Sequence, residues 1–495
     1  MNIVIETPTK ARLVKYTPEE LENVKKSLTY NNTSVSFQLQ KHRANWRLKN
    51  RNPVYWEMRE RELADQVQTT LVFEDNQGLW IRTGSIPYLK GINVISNQVD
   101  YPDLKPLPWK KKLDFDLYPY QSLSIEKLLL EKHGHIELPT GAGKSVILLS
   151  LARMLGGNGV VVATPSQSIF SELLADFTDK LGEKYVGGYG DGKKDIKKPI
   201  TIAIGRSLAM LKKDTPAYEF FKNKKAILVD EAHQWASETL DVTCNGVFDE
   251  APYRLFVTAT IARGDGGIKL LESIVGKRVY EMSLETAIKE GYLCPLKTKV
   301  ITTVSPETYS TKDPLECKRV HFLYNKNIAK LVATLANANW NIKKQSTLIL
   351  VEELKQIKIL KDLINVPMGY VHAGSKKDAA EYGLEQVDSQ EQVLAFNEGK
   401  IKVLIGTRAI ATGTNMFPTH YTINWAGGSS EVVTKQGTMG RSTRKLEKSK
   451  FKELHNLKPY SQIWDFHVKD QPILYSQLKK RISFYEETGE KVEWV

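Results

Sequence analysis

Apolar positions follow two different rhythms along the chain. From about residue 113, short continuous apolar runs alternate with stretches of helical composition. Gly159 to Ala163, Ile202 to Ile204, Ala226 to Val229 and Arg254 to Val257 have the length and continuity of strands buried on both faces. Ser145 to Leu155 favours helix and stops at Gly156-Gly157-Asn158-Gly159, a strong helix-ending signal. A second series begins near Gly291, with strands expected at Thr347–Val351, Val403–Ile405, Tyr421–Ile423 and Gln462–Trp464. Strand–helix alternation of this kind predicts α/β lobes with mostly parallel sheets. Residues 1–112 break the rhythm, alternating short apolar and charged stretches. Pro102, Pro106 and Pro108, followed by Lys110-Lys111-Lys112, mark their end. The expected order is an accessory α+β domain (1–112), two tandem lobes (113–290 and 291–475), and a basic helix (476–495) carrying Lys479-Lys480-Arg481.

Composition narrows the class. A chain of 495 residues is long enough for about three domains, each with its own core. No apolar run approaches the roughly 18 residues of a membrane span, so no membrane association is expected. The first twelve residues mix Glu6, Pro8 and Lys10 and lack the apolar segment of a secretory signal. Cys244, Cys294 and Cys317 have no paired spacing and are expected to be reduced, which points to the cytoplasm. The 70 Lys and Arg against 57 Asp and Glu give a net charge of +13, consistent with a polyanionic partner.

The chemistry begins at Leu138-Pro139-Thr140-Gly141-Ala142-Gly143-Lys144-Ser145, between an apolar segment and a predicted helix. Glycines let backbone N–H groups approach phosphate oxygens, and the helix N-terminus adds partial positive charge. Lys144 would reach the β and γ phosphates, and the Ser145 hydroxyl would hold Mg²⁺. Leu138 stands where the strict pattern has Gly. Asp230-Glu231-Ala232-His233 follows a predicted strand, so both acids fall at its carboxyl end, where open parallel sheets bind ligands. Asp230 can hold Mg²⁺ through water and Glu231 can polarise the attacking water. Together these features predict Mg²⁺-dependent hydrolysis of a nucleoside triphosphate.

In order, these and seven further matches resemble superfamily 2 helicases of the DEAH-box type, over residues of about 118 to 470. The resemblance implies RecA-like lobes and the following roles. Tyr120 and Gln121 would read adenine, and His233, Thr258 and Thr260 would couple hydrolysis to lobe movement. Ala163-Thr164-Pro165-Ser166, Gly205-Arg206-Ser207 and Val371-His372-Ala373-Gly374 would follow the nucleic-acid track, with Thr164, Pro165, Arg206 and His372 as contacts. Gly406-Thr407-Arg408 to Gly413-Thr414-Asn415 resembles the fifth motif, Thr407 facing nucleic acid and Gly413 nucleotide. Arg441 and Arg444, in Gly440-Arg441-Ser442-Thr443-Arg444, would reach the γ-phosphate. The chain departs from the family at Gly437, where Gln is usual, and at Asn415, where Asp is usual.

Within the superfamily the chain is most similar to the phage UvsW-type branch-migration helicases. That implies a monomer or weak oligomer acting on forked, Holliday-type or duplex DNA in recombination, repair and replication. An RNA helicase or remodeller, and a DNA-binding regulatory protein with a vestigial motor, are the alternatives. The stretch Lys41 to Arg51, with Arg43, Trp46 and Arg47, followed by Tyr55 and Trp56, joins charge with stacking surface and is a candidate DNA contact.

Overall fold

The computed structural model describes every residue except 114–115, 260–267, 309–310, 312, 373, 408–414 and 431–432, and every remaining side chain except those of Ser34, Lys376 and Gln436. The chain divides into two compact units, Met1–Leu138 with Gly143–Glu281, and Pro139–Ala142 with Met282–Val495.

The first unit contains an eight-stranded sheet. Its order is Lys193–Lys194, Val186–Gly190, Ile200–Ile204, Val160–Thr164, Ala226–Asp230, Tyr253–Thr258, His133–Glu137 and Arg278–Glu281. All neighbours are parallel except the first pair. The central strands Val160–Thr164, Ala226–Asp230 and Tyr253–Thr258 are buried along their whole length. That explains why they read as continuous apolar runs and not as alternating ones.

The same unit carries a five-stranded sheet built from the N-terminal residues, ordered Val72–Asp75, Gly78–Arg82, Lys10–Lys15, Asn2–Thr7 and Asn93–Asn97. Only the last pair is parallel. Ile3, Ala11, Leu13, Val24, Leu28, Leu71 and Ile81 form its core, and Leu270 of the parallel-sheet lobe packs against it. The junction is polar as well. Arg82 donates to Asp241 at 2.7 Å and to Ser273 at 3.2 Å, and Tyr88 donates to the Gly276 carbonyl at 2.8 Å. Gly84 has no room for a side chain, since a Cβ there would lie 2.3 Å from the Ser273 carbonyl oxygen.

A helical arm leaves this region on a two-stranded ladder, Thr29–Asn31 paired with Gln68–Thr70. Its helices are Thr33–Ala44, Trp46–Arg51 and Pro53–Val67. Each begins at an asparagine, Asn32, Asn45 or Asn52, whose side chain accepts the N–H three residues on. Those caps satisfy otherwise orphaned donors and explain the three sharp helix starts.

The second unit is built on seven parallel strands: Met368–Val371, Val403–Gly406, Thr347–Leu350, Tyr421–Asn424, Ser461–Val468, Leu296–Thr303 and Glu493–Trp494. The expected C-terminal helix is shorter and earlier, Pro472–Tyr485. Gly489 adopts φ +83°, turns the chain, and Glu493–Trp494 then joins the sheet edge. Arg481 is not on a solvated face. Its guanidinium is buried against Asp465, donating at 2.7 and 2.9 Å, and Tyr485 donates to the same carboxylate at 2.9 Å. Among the described residues no helix is long and apolar enough to cross a membrane.

Candidate nucleotide site

The parallel arrangement brings several chain segments to one edge of the first sheet. The strand His133–Glu137 runs into Leu138, whose N–H bonds the Thr258 carbonyl at 2.9 Å. Gly141 and Gly143 take φ +93° and +75°, conformations that glycine adopts without strain. Within Pro139–Ala142 the Ala142 N–H bonds the Pro139 carbonyl at 3.2 Å, closing a tight turn. Lys144 opens the helix Lys144–Leu155, and the Gly143 side of its first turn carries no side-chain cap. Gln121 is fixed by its own helix, accepting the Tyr118 N–H at 3.0 Å. Its amide nitrogen sits only 2.5 Å from where a Cβ on Gly143 would stand. Tyr120 is buried one residue before it. The resemblance assigned Gln121 to adenine; the packing sets its amide beside Gly143 of the loop.

Asp230 ends its strand and Glu231 follows with φ +47°, a left-handed conformation that turns its side chain back toward the loop. The Lys144 ammonium lies 3.1 Å from the Glu231 carboxylate and 3.4 Å from the Leu138 carbonyl. His233 lies 2.6 Å from the Thr258 hydroxyl and 3.4 Å from the second Glu231 oxygen. Burial, reinforced by the neighbouring Glu231 charge, pushes the Asp230 carboxyl up to about 8. Glu231 is equally enclosed, yet Lys144 and His233 hold it below the ordinary carboxylate range. The two adjacent acids are thereby shifted in opposite directions, Asp230 up and Glu231 down. Ser145, exposed in the first helical turn, and Asp230 offer the oxygen donors that Mg²⁺ prefers. The glycine turn and free helix end fit a polyphosphate.

One participant has no motif behind it. Trp235 is buried, and its indole N–H donates to the Asp230 carbonyl at 3.1 Å. Its ring occupies the space beside Gly205, where a Cβ would come within 1.9 Å. Gly205-Arg206-Ser207 therefore rests directly on the residue that holds Asp230. A tryptophan just after an acidic pair follows no spacing rule, so only the glycine opposite could have hinted at it.

The remaining predicted contacts are placed as follows. Arg206 is exposed and Pro165 half-buried, whereas Thr164 is fully buried with its hydroxyl donating to the Ser166 carbonyl at 3.2 Å. In the second unit His372 is buried and stacked on Tyr370, and Thr407 is buried at a strand end. Arg441 is buried and donates to the Gly437 carbonyl at 3.1 Å. Burial and the adjacent Arg444 charge lower its pKa to about 9. Arg444 is half-buried. Thr260 and Gly413, with Arg408, Thr414 and Ala373 of the same motifs, lie outside the described residues.

Residues 114–263 match the family model described as "Type III restriction enzyme, res subunit". This match and the chain's relatives make it similar to superfamily 2 helicases. Among its relatives, "DNA 3'-5' translocase XPB2" of Sulfurisphaera tokodaii is 25% identical, over 72% of this chain and 84% of the relative. "ATP-dependent DNA helicase uvsW" of Enterobacteria phage T4 is 22% identical, over 70% of this chain and 67% of the relative. The fold also resembles a fragment of an HsdR subunit of a type I restriction enzyme from Vibrio vulnificus YJ016. That fragment aligns at TM-score 0.52 and 18% identity, covering 76% of this chain and 68% of its own.

Proposed function

We propose that the chain is an ATP-driven DNA motor that unwinds or branch-migrates forked and four-way DNA. The observation that carries the reading is the cluster at the first sheet's carboxyl edge. There Lys144, Asp230, Glu231 and His233 converge on a glycine turn backed by Gln121. In this reading Lys144 neutralises the β and γ phosphates of ATP, and Glu231, kept ionised, orients water and takes its proton. Ser145 and Asp230 hold Mg²⁺, which when bound supplies positive charge to the phosphate oxygens. Arg441 and Arg444 stabilise charge on the transferring phosphoryl group, a role supported by their motif order in the second lobe. His233 and Thr258 relay the state of the site along the sheet edge. Relatives named as DNA helicase and DNA translocase support DNA as the track, and the net charge of +13 favours a nucleic acid.

ATP turnover and strand displacement measured with single strands, duplex, forks, four-way junctions and RNA test the proposal. Stimulation by branched DNA above that by single strands, lost in Lys144→Ala, is expected. Stimulation by RNA alone would overturn the DNA assignment, and unaltered turnover in Lys144→Ala would overturn the site.

A further inference from the structure

The helical arm 33–67 takes no part in the nucleotide site, yet its far end is built in an unusual way. Near the ladder and along its length it has its own core. Trp56 and Leu63 are buried, His42 stacks on Trp56 at 5.2 Å, and the two residues exchange hydrogen bonds with each other's carbonyls at 2.8 and 3.1 Å. This pins the outgoing helix Thr33–Ala44 to the returning helix Pro53–Val67. The returning helix has 15 residues, so the arm reaches about 22 Å from its base.

The far end is the opposite of a core. Trp46 is 64% exposed, Val54 78%, Met58 61% and Tyr55 45%. Arg47, Lys49 and Arg51 stand exposed among them, and the Arg47 guanidinium lies over the Trp46 ring at 5.6 Å. Charge is segregated along the arm. Residues 41–51 contain five Lys and Arg and no acid, whereas Glu57, Glu60, Glu62 and Asp65 lie on the returning helix. Two of those acids are already paired, Glu60 with Arg43 and Glu62 with Arg59. An apolar end made for a protein partner would not carry a ring of unpaired-sign charge around its tryptophan. Aromatic faces beside the cations of residues 41–51, with Glu57 the first acid beyond Tyr55, suit exposed bases on a phosphate backbone.

We infer that the arm tip is a base-stacking site for unpaired nucleotides at a DNA junction, with Trp46 and Tyr55 as platforms and Arg47, Lys49 and Arg51 on the flanking phosphates. The inference rests on the DNA-motor reading and specifies which part of the substrate the accessory domain engages. Unpaired bases are available at a fork and absent from a blunt duplex, so the site favours one shape over the other.

The test uses the full chain, with fluorescein-labelled oligonucleotides of one sequence presented as a blunt duplex, a fork with two single-stranded arms, and a single strand. Affinity is read by anisotropy over a salt series. Trp46→Ala/Tyr55→Ala is expected to weaken fork binding by roughly 5- to 100-fold, the loss of one or two stacked bases, and to change duplex binding less than about twofold. Trp46→Phe retains a stacking face and should keep most of the fork affinity. Lys49→Gln/Arg51→Gln should lower the salt dependence of fork binding by about 1.4 in log–log slope, the share of two phosphates on a single strand. All these positions are exposed, and circular dichroism confirms that the variants fold. Equal losses on fork and duplex, or none on either, would overturn the stacking site while leaving the motor reading intact. Wild-type chain that binds none of the three oligonucleotides would overturn both. Unchanged fork affinity, together with lost binding of a protein partner by the same variants, would assign the tip to protein instead.

Discussion

The ion pair between Lys144 and Glu231 makes a sharp test of the nucleotide site, because its energy can be worked out before any substrate is added. The charges are 3.1 Å apart, with side-chain exposures of 8% and 12%. At an effective dielectric of about 20 their attraction is about 5 kcal/mol, partly offset by the cost of desolvating both ions. Removing one partner strands the other. Lys144→Met is therefore expected to destabilise the first unit by about 3 kcal/mol, and Glu231→Gln by somewhat less, since Gln still accepts a hydrogen bond from the ammonium. The double variant should recover much of the loss, leaving a coupling energy of at least about 1.5 kcal/mol. Urea unfolding of the full chain provides the measurement. The buried Trp235, bonded to the Asp230 carbonyl, offers a fluorescence signal beside the perturbation. Single variants as stable as wild type, or strictly additive effects, would refute the pair and with it the claim that Lys144 holds Glu231 ionised.

Three further outcomes follow from neighbouring features. Burial drives the pKa of His133 down to about 3 and of His420 to about 4, below the unfolded value of about 6.5. The unfolded chain then binds protons that the folded chain refuses, so stability is full above pH 6.5 and falls by about 1.4 kcal/mol per pH unit for each histidine between 6.5 and 4; denaturation midpoints over that range check it, and a flat profile would contradict it. Gly143→Ala meets both a φ of +75° and the Gln121 amide; a cost of about 1–3 kcal/mol at the loop should reduce ATPase kcat/KM by about 5- to 150-fold. Asp465→Asn removes a buried carboxylate that accepts from Arg481, Tyr485, Asn424 and the Phe466 N–H, and calorimetry should register a loss of about 3–5 kcal/mol in the second unit.

Parallel strands buried on both faces were legible because burial forces them into unbroken apolar runs. The observed strands Val160–Thr164, Ala226–Asp230 and Val403–Gly406 differ from the expected spans by a residue or two. The loop and the acidic pair were legible because their chemistry dictates spacing. The N-terminal sheet was not, since Asn2–Thr7 pairs with Asn93–Asn97 across most of the domain, a partnership no local pattern encodes. The last strand of that sheet ends at Asn97, ahead of the prolines at 102–108, and nothing in their spacing hints that Arg82, Gly84 and Tyr88 seat it on the first parallel sheet. Arg481 was expected only as part of a basic C-terminal helix, because its partner Asp465 lies on a strand whose proximity only the tertiary fold reveals. The Trp46 and Trp56 side chains, ten positions apart, have opposite fates for the same reason: burial of one depends on a helix that returns beside it.

The ladder beneath the arm has a consequence for how such a motor can diversify. Asn31 and Gln68 face each other across an antiparallel pair, so residues 32–67 leave and rejoin this two-stranded ladder at a single point. A short Asn-Gly turn could close that gap with the ladder still in register. The arm is thus a removable attachment on an engine whose own framework never passes through it. On the stacking-site inference, lengthening, exchanging or deleting it is the expected way to change which DNA shape is engaged without rebuilding the parallel sheets.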